Sequence, residues 1–198
     1  MVKKYKSTLE LMGDEEMNIF YLDHDQKKCA QMHTDRHCVK MILEYAQLLC
    51  TTHHVVDRYL DDEGWVVYEN EELRHKLYKE THIQHPSAIW ARKSTQHYNW
   101  LYKLFCELCD EYTYRYSKVH KSDTKLREIL KNPPKLLEDN GFEQPYQAMP
   151  MVYKMEDSID AYRLYYNKQK RMSRDGKRSK WTGRDIPQFM MKVMKVGY

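Results

Sequence analysis

The sequence predicts a mainly α, compact single-domain fold with a short N-terminal strand and a small β excursion. A chain of 198 residues with 41% apolar content can enclose one sizeable core but not two. From Tyr98 to Tyr116 the apolar positions Tyr98, Leu101, Phe105, Leu108, Cys109, Tyr112 and Tyr116 recur at steps of three and four, the period of a core-facing helix. Elsewhere capping and turn residues cut the chain into helix-sized pieces and leave only two short runs that read as strand.

In chain order, residues 1–16 read as an N-terminal extension, with Gly13-Asp14-Glu15-Glu16 leading into the strand-like Met17-Asn18-Ile19-Phe20-Tyr21-Leu22. Asp25 offers a helix N-cap, and helical periodicity then reaches about Cys50, with a second cap near Thr34-Asp35. Asp61-Asp62-Glu63-Gly64 is a turn before Trp65-Val66-Val67-Tyr68, the β excursion. Pro86 suits the first turn of a helix expected to run on to Tyr116. A shorter helix from Ser122 to Lys131 ends at Asn132-Pro133-Pro134, residues 132–157 form a long loop, and a last helix spans Asp157 to Met172. The body is therefore read as residues 17–160, followed by a basic, aromatic segment over 161–198.

Charge separates these parts. Residues 161–198 carry eleven Lys or Arg against two Asp, a net of +9, which leaves −5 on the first 160 residues of a chain whose total is +4. A basic end on an acidic body is a handle for polyanions. No run of about 18 apolar residues could span a bilayer, and Met-Val-Lys-Lys-Tyr-Lys opens no signal sequence, so the expected location is cytoplasmic. Five scattered cysteines are expected to be reduced thiols, with Cys106 and Cys109 on one helix face of the core.

Chemistry concentrates in three places. On the helix after Thr34, His37, Lys40, Glu44, Gln47 and Thr51 form one polar stripe, joined by His33 if the helix is continuous, while Val39, Ile42, Leu43, Ala46 and Leu49 should be buried. Asp35, His37, Lys40 and Glu44 are candidates for acid–base or amine chemistry, because a carboxylate beside an imidazole can hold one tautomer near neutral pH. His85 is a further catalytic candidate, and with Arg92, on the helix opened by Pro86, it is a candidate for an anion site shared with that stripe. Arg115, Lys118, Tyr165, Tyr166, Lys168, Lys180, Trp181 and Arg184 interleave rings with cations, as surfaces that stack bases and neutralise phosphates do. No cofactor is expected. His33 and His37 with a further ligand define an alternative metal reading.

These segments resemble a family of uncharacterised tailed-phage proteins. The resemblance rests on Met17-Asn18-Ile19-Phe20-Tyr21-Leu22-Asp23, Asp35-Arg36-His37-Cys38-Val39-Lys40-Met41 with Glu44 and Gln47, and His85-Pro86 with Trp90 and Arg92. It continues through Glu111-Tyr112-Thr113-Tyr114-Arg115-Tyr116, Ala148-Met149-Pro150, and Tyr165-Tyr166 leading to Lys180-Trp181-Thr182. More distantly the chain is similar to the helical pyrimidine-dimer DNA glycosylases of phages, which end in a basic tyrosine-rich run comparable to Tyr165-Tyr166-Asn167-Lys168. Their nucleophile is an N-terminal amine and their catalytic Glu would fall near His37, leaving Glu44 or Asp35 as the carboxylate. The resemblance implies a DNA-acting protein of the host cytoplasm, a glycosylase-like enzyme in the leading reading. A non-enzymatic module binding DNA or a host protein, and a metal-dependent nucleotide phosphohydrolase, are the alternatives.

Overall fold

The computed structural model describes residues 17–172 and 175–191, so the extension at 1–16 lies outside the described residues. The helices are α1 (Gln26–Met32), α2 (Asp35–Val56), α3 (Glu71–Lys76), α4 (Pro86–Ala91), α5 (Thr95–Tyr116), α6 (Lys121–Leu126), α7 (Ser158–Gln169) and α8 (Gln188–Met191). Between α2 and α3, β1 (Arg58–Leu60) and β2 (Val66–Tyr68) form an antiparallel hairpin with Tyr59 opposite Val67. Among the described residues no helix is long and apolar enough to cross a membrane.

The starts of the helices follow from side chains that accept orphan backbone N–H groups. Asp25 caps α1 through the Lys28 N–H, Thr34 caps α2 through that of His37, and Asp157 caps α7 through those of Ile159 and Asp160. The helix expected from Pro86 to Tyr116 is two helices. Arg92 ends α4, and the Ser94 hydroxyl accepts the Gln96 N–H at 3.2 Å and starts α5. Likewise the helix expected from Ser122 to Lys131 stops at Leu126, with one 3-10 turn at Ile129–Lys131.

The two 22-residue helices α2 and α5 pack on each other at the centre, α1 lies on α5, and α4 and α6 lie on α2. Their shared core is rich in rings: Tyr21, Tyr45, Trp90, Tyr98, Phe105, Tyr162 and Tyr166 are fully buried. Such rings need partners for their hydroxyls. Tyr98 donates to the Leu130 carbonyl at 2.9 Å and Tyr162 to the Asn18 side chain at 2.7 Å. Residues of the basic segment belong to this same core: Ala161, Tyr162, Tyr166, Trp181 and Met190 are all buried in it.

Two further sequence expectations are corrected. Met17–Leu22 is not a strand; it is buried, irregular chain without a ladder partner, held instead by contacts such as the Asn18 amide to the Ala148 carbonyl at 2.9 Å. That segment and α7 cover the face of α2 expected to meet solvent. His37 and Glu44 are therefore only 6% and 8% exposed, whereas Val39 and Leu43, expected inside, are 43% and 42% exposed. Phe20 stacks on His37 with ring centroids 4.5 Å apart, so an aromatic partner compensates for burying the imidazole.

Candidate anion-binding cleft

The N-terminus of α2 is where the basic end of the chain returns to the body. Trp181 donates its indole N–H to the Met32 carbonyl at 2.9 Å, just before the helix begins. The Asp35 N–H donates to the Lys180 carbonyl at 2.9 Å, and the Asp35 carboxylate accepts the Thr182 N–H at 2.8 Å and the Thr182 hydroxyl at 2.7 Å. On its other side this carboxylate meets Arg115 at 3.0 Å.

This junction leaves a cleft of about 230 Å³ between α2, the C-terminal end of α7 and residues 177–180. Among the described residues six cations line it: Arg36 and Lys40 from α2, Lys170 after α7, and Lys177, Arg178 and Lys180 beyond. Asp35 is the one carboxylate among the described lining residues, and Arg115 and Thr182 already occupy it. The positive end of the α2 dipole adds to the same field. Lys177 also pairs with Asp175 at 3.1 Å, so the positive charge of this wall is partly balanced by that neighbour.

A buried polar floor lies directly beneath. Tyr166 accepts the Thr34 N–H at 2.9 Å, and its hydroxyl is 2.8 Å from His37 Nδ1, where its own proton can donate to the neutral ring. His33 Nδ1 must carry hydrogen to meet the Cys29 carbonyl at 2.8 Å, which makes Nε2 the acceptor of the Tyr45 hydroxyl at 3.0 Å. Burial lowers the His33 pKa to about 4. Burial also holds His37 well below the usual histidine value, reinforced by His33 and by the cleft cations Lys170, Lys40 and Arg36. Both rings are neutral structural members at physiological pH. With both nitrogens committed, His33 has none to offer a metal, and no three His, Cys, Asp or Glu side chains converge as a ligand set among the described residues.

The other expected site residues divide sharply. Lys180 and Lys40 line the cleft, Asp35 shapes it, and Lys168 is half-buried on α7. Lys40 pairs with Glu44 at 2.9 Å, and burial pushes the Glu44 carboxyl above the ordinary range against the pull of that ammonium. Arg115, expected to reach phosphate, is instead a fully buried strut. It donates to Glu111 at 2.7 Å and to the His33 and Gln31 carbonyls at 2.9 and 3.0 Å, as well as to Asp35. Arg184 is committed as a fork on the same Glu111, at 2.9 to 3.3 Å, with its guanidinium over the Tyr114 ring. Burial works to raise the Glu111 carboxyl, but the two guanidiniums outweigh it and hold the pKa below its usual value.

Tyr166 and Trp181 are buried, so neither presents an exposed stacking face, while Tyr165 is half-buried against Tyr153. Lys118 stands exposed past the end of α5. His85 caps α4 by accepting the Ser87 N–H at 3.2 Å, and Arg92 donates to the Ile83 carbonyl at 2.7 Å. The expected concavity of His37, Lys40, His85 and Arg92 is thus not formed: of those four only Lys40 lines the cleft, because His37 faces the core and the other two close the ends of α4. Missed in the sequence were Arg36, Lys170, Lys177 and Arg178, whose only signal was the charge excess after residue 161 and the position of Arg36 beside a helix cap.

Compared with known proteins, the chain matches no family model, no curated protein and no solved structure.

Proposed function

We propose that this chain binds the phosphate backbone of a nucleic acid, DNA in the first instance, in the cleft between α2 and the segment after α7. One observation carries the reading: among the described residues, six cationic side chains line a cleft at the N-terminus of a 22-residue helix, and the single lining carboxylate is already matched. Guanidinium and ammonium groups at a helix N-terminus are the groups that phosphate oxygens pair with. The acidic remainder of the chain favours contact through this end alone. Pyrophosphate or a short DNA oligonucleotide should raise the melting temperature in a salt-sensitive way. Arg36→Ala with Lys180→Ala should remove most of that protection, and Arg92→Ala should keep it. Equal protection of all three proteins would end the proposal.

The Lys40–Glu44 pair favours a second reading, a glycosylase-type reaction in the same cleft. Lys40 lines the cleft, and Glu44 is a buried carboxylate of raised pKa in contact with its amine, placed to accept the ammonium proton. The freed amine would attack C1′ of an extruded nucleotide while the base leaves with the electron pair of the glycosidic bond; the attacking nitrogen then loses a proton, and the C1′–O4′ bond opens with O4′ taking up a proton, which leaves the iminium. Borohydride should then trap a covalent adduct on damaged DNA that Lys40→Ala abolishes. DNA binding without any trapped adduct would leave the binding function alone.

A further inference from the structure

Beside the cationic cleft lies a second hollow of about 240 Å³, and Arg178 and Ser179 line both. The rest of its lining differs in kind. Trp181, Ile186, Met190 and Met191 supply ring and aliphatic surface, and Arg171 supplies charge. Trp181 and Met190 are buried while Ile186 and Met191 are exposed, which puts the floor at the first pair and the mouth at the second. The Trp181 ring is already fixed by its bond to the Met32 carbonyl, so it is a preformed surface. Arg171 Nη1 is buried and has no hydrogen-bond partner among the described residues, an expensive state for a guanidinium N–H.

A cationic chamber that shares a wall with a largely apolar one edged by the Arg171 guanidinium fits a particular ligand shape. It fits a phosphate joined to a flat ring with an acceptor on its edge. We infer that this hollow receives the base of an unpaired nucleotide whose phosphate lies in the cleft, so that the nucleic acid is single-stranded where it meets this protein. The inference rests on the phosphate-binding reading of the cleft. A base inside a duplex is stacked on both faces and cannot enter such a hollow without being extruded. An unpaired one can enter between Ile186 and Met191 and rest in the hollow, with Trp181 and Met190 as its floor, while cations hold its backbone. The edge oxygens of thymine or guanine are acceptors for the Arg171 N–H. A lipid chain would fill the apolar lining and leave that donor unpaired.

Fluorescence anisotropy with three labelled probes of about ten units each tests this: a thymidine single strand, an abasic strand of equal charge, and a duplex. The thymidine strand should bind at least about fivefold more tightly than the abasic strand. Ile186→Trp, which narrows the mouth at an exposed position, should close that gap. Equal affinity of the two strands for the unaltered protein, tighter binding of the duplex, or a gap that survives Ile186→Trp would overturn the inference while leaving phosphate binding intact. Failure of all three probes to bind would overturn both.

Discussion

Asp35 and Thr182, 147 residues apart, are joined by two hydrogen bonds, from the Thr182 N–H at 2.8 Å and its hydroxyl at 2.7 Å. This contact fastens the basic segment to the first turn of α2. One wall of the cleft is therefore held in place partly by a carboxylate, beside the bonds from the Asp35 N–H to the Lys180 carbonyl and from the Trp181 indole to the Met32 carbonyl. The carboxylate is charge-matched by Arg115, which is itself anchored on Glu111, and Arg184 closes the chain of pairs from the other side.

Asp35→Ala separates this account from simple electrostatics. Removing a negative charge from a cationic cleft should, on charge alone, tighten anion binding. Here the same change frees Thr182, so phosphate affinity should fall, and stability should drop by about 2 to 3 kcal/mol. Thermal denaturation and pyrophosphate titration of the variant give the two numbers. Tighter binding by a protein of unchanged stability would mean that the pin does not shape the cleft.

Arg115→Met probes the buried network. The guanidinium is fully enclosed and serves two carboxylates and two carbonyls. Its loss should cost about 3 to 5 kcal/mol, since partners are left buried and unmatched. Denaturant unfolding reads that loss. A variant that keeps its stability and merely loses DNA affinity would restore Arg115 to the phosphate-contacting role expected from its sequence.

Acid should loosen the floor of the cleft, with His33 as the reporter. Its folded pKa of about 4 lies below the usual 6.5, so the unfolded chain takes up the proton first. Stability from this group is complete above pH 6.5, falls as pH drops from 6.5 towards 4, and levels off below. The loss amounts to about 3 kcal/mol at its full extent, and His37 adds to it in the same direction. Melting temperatures across pH 4 to 8 should show this decline, diminished in His33→Gln. An unchanged pH profile in that variant would remove His33 as its source.

Much of the fold was legible because caps and apolar periods are local. Asp25, Thr34 and Asp157 mark helix starts in the sequence and do so in the structure. The face of α2 was not legible. A stripe of His37, Lys40 and Glu44 reads as solvated surface until Phe20 and Tyr166 arrive from distant parts of the chain to cover it. The same limit applies to Arg115 and Arg184: a guanidinium in a ring-rich stretch has one appearance whether it faces phosphate or Glu111. Lys180 and Lys40 stood out in the sequence, one as a phosphate contact and the other as a catalytic amine, but that they share a cleft with Arg178 and Lys170 was not legible, because only the tertiary fold selects which cations converge.

The salt dependence of single-stranded DNA binding tests the central claim most directly, because each phosphate neutralised by the protein adds about 0.7 to the slope of log affinity against log salt. Affinity should fall steeply with salt in the unaltered protein. The slope should become shallower by about 1.4 in Arg178→Ala with Lys180→Ala, and it should not change in Lys76→Ala, whose ammonium pairs with Glu72 and lines no part of the cleft. A slope unaffected by the double substitution, or one altered equally by Lys76→Ala, would contradict phosphate recognition in the cleft between α2 and the basic segment.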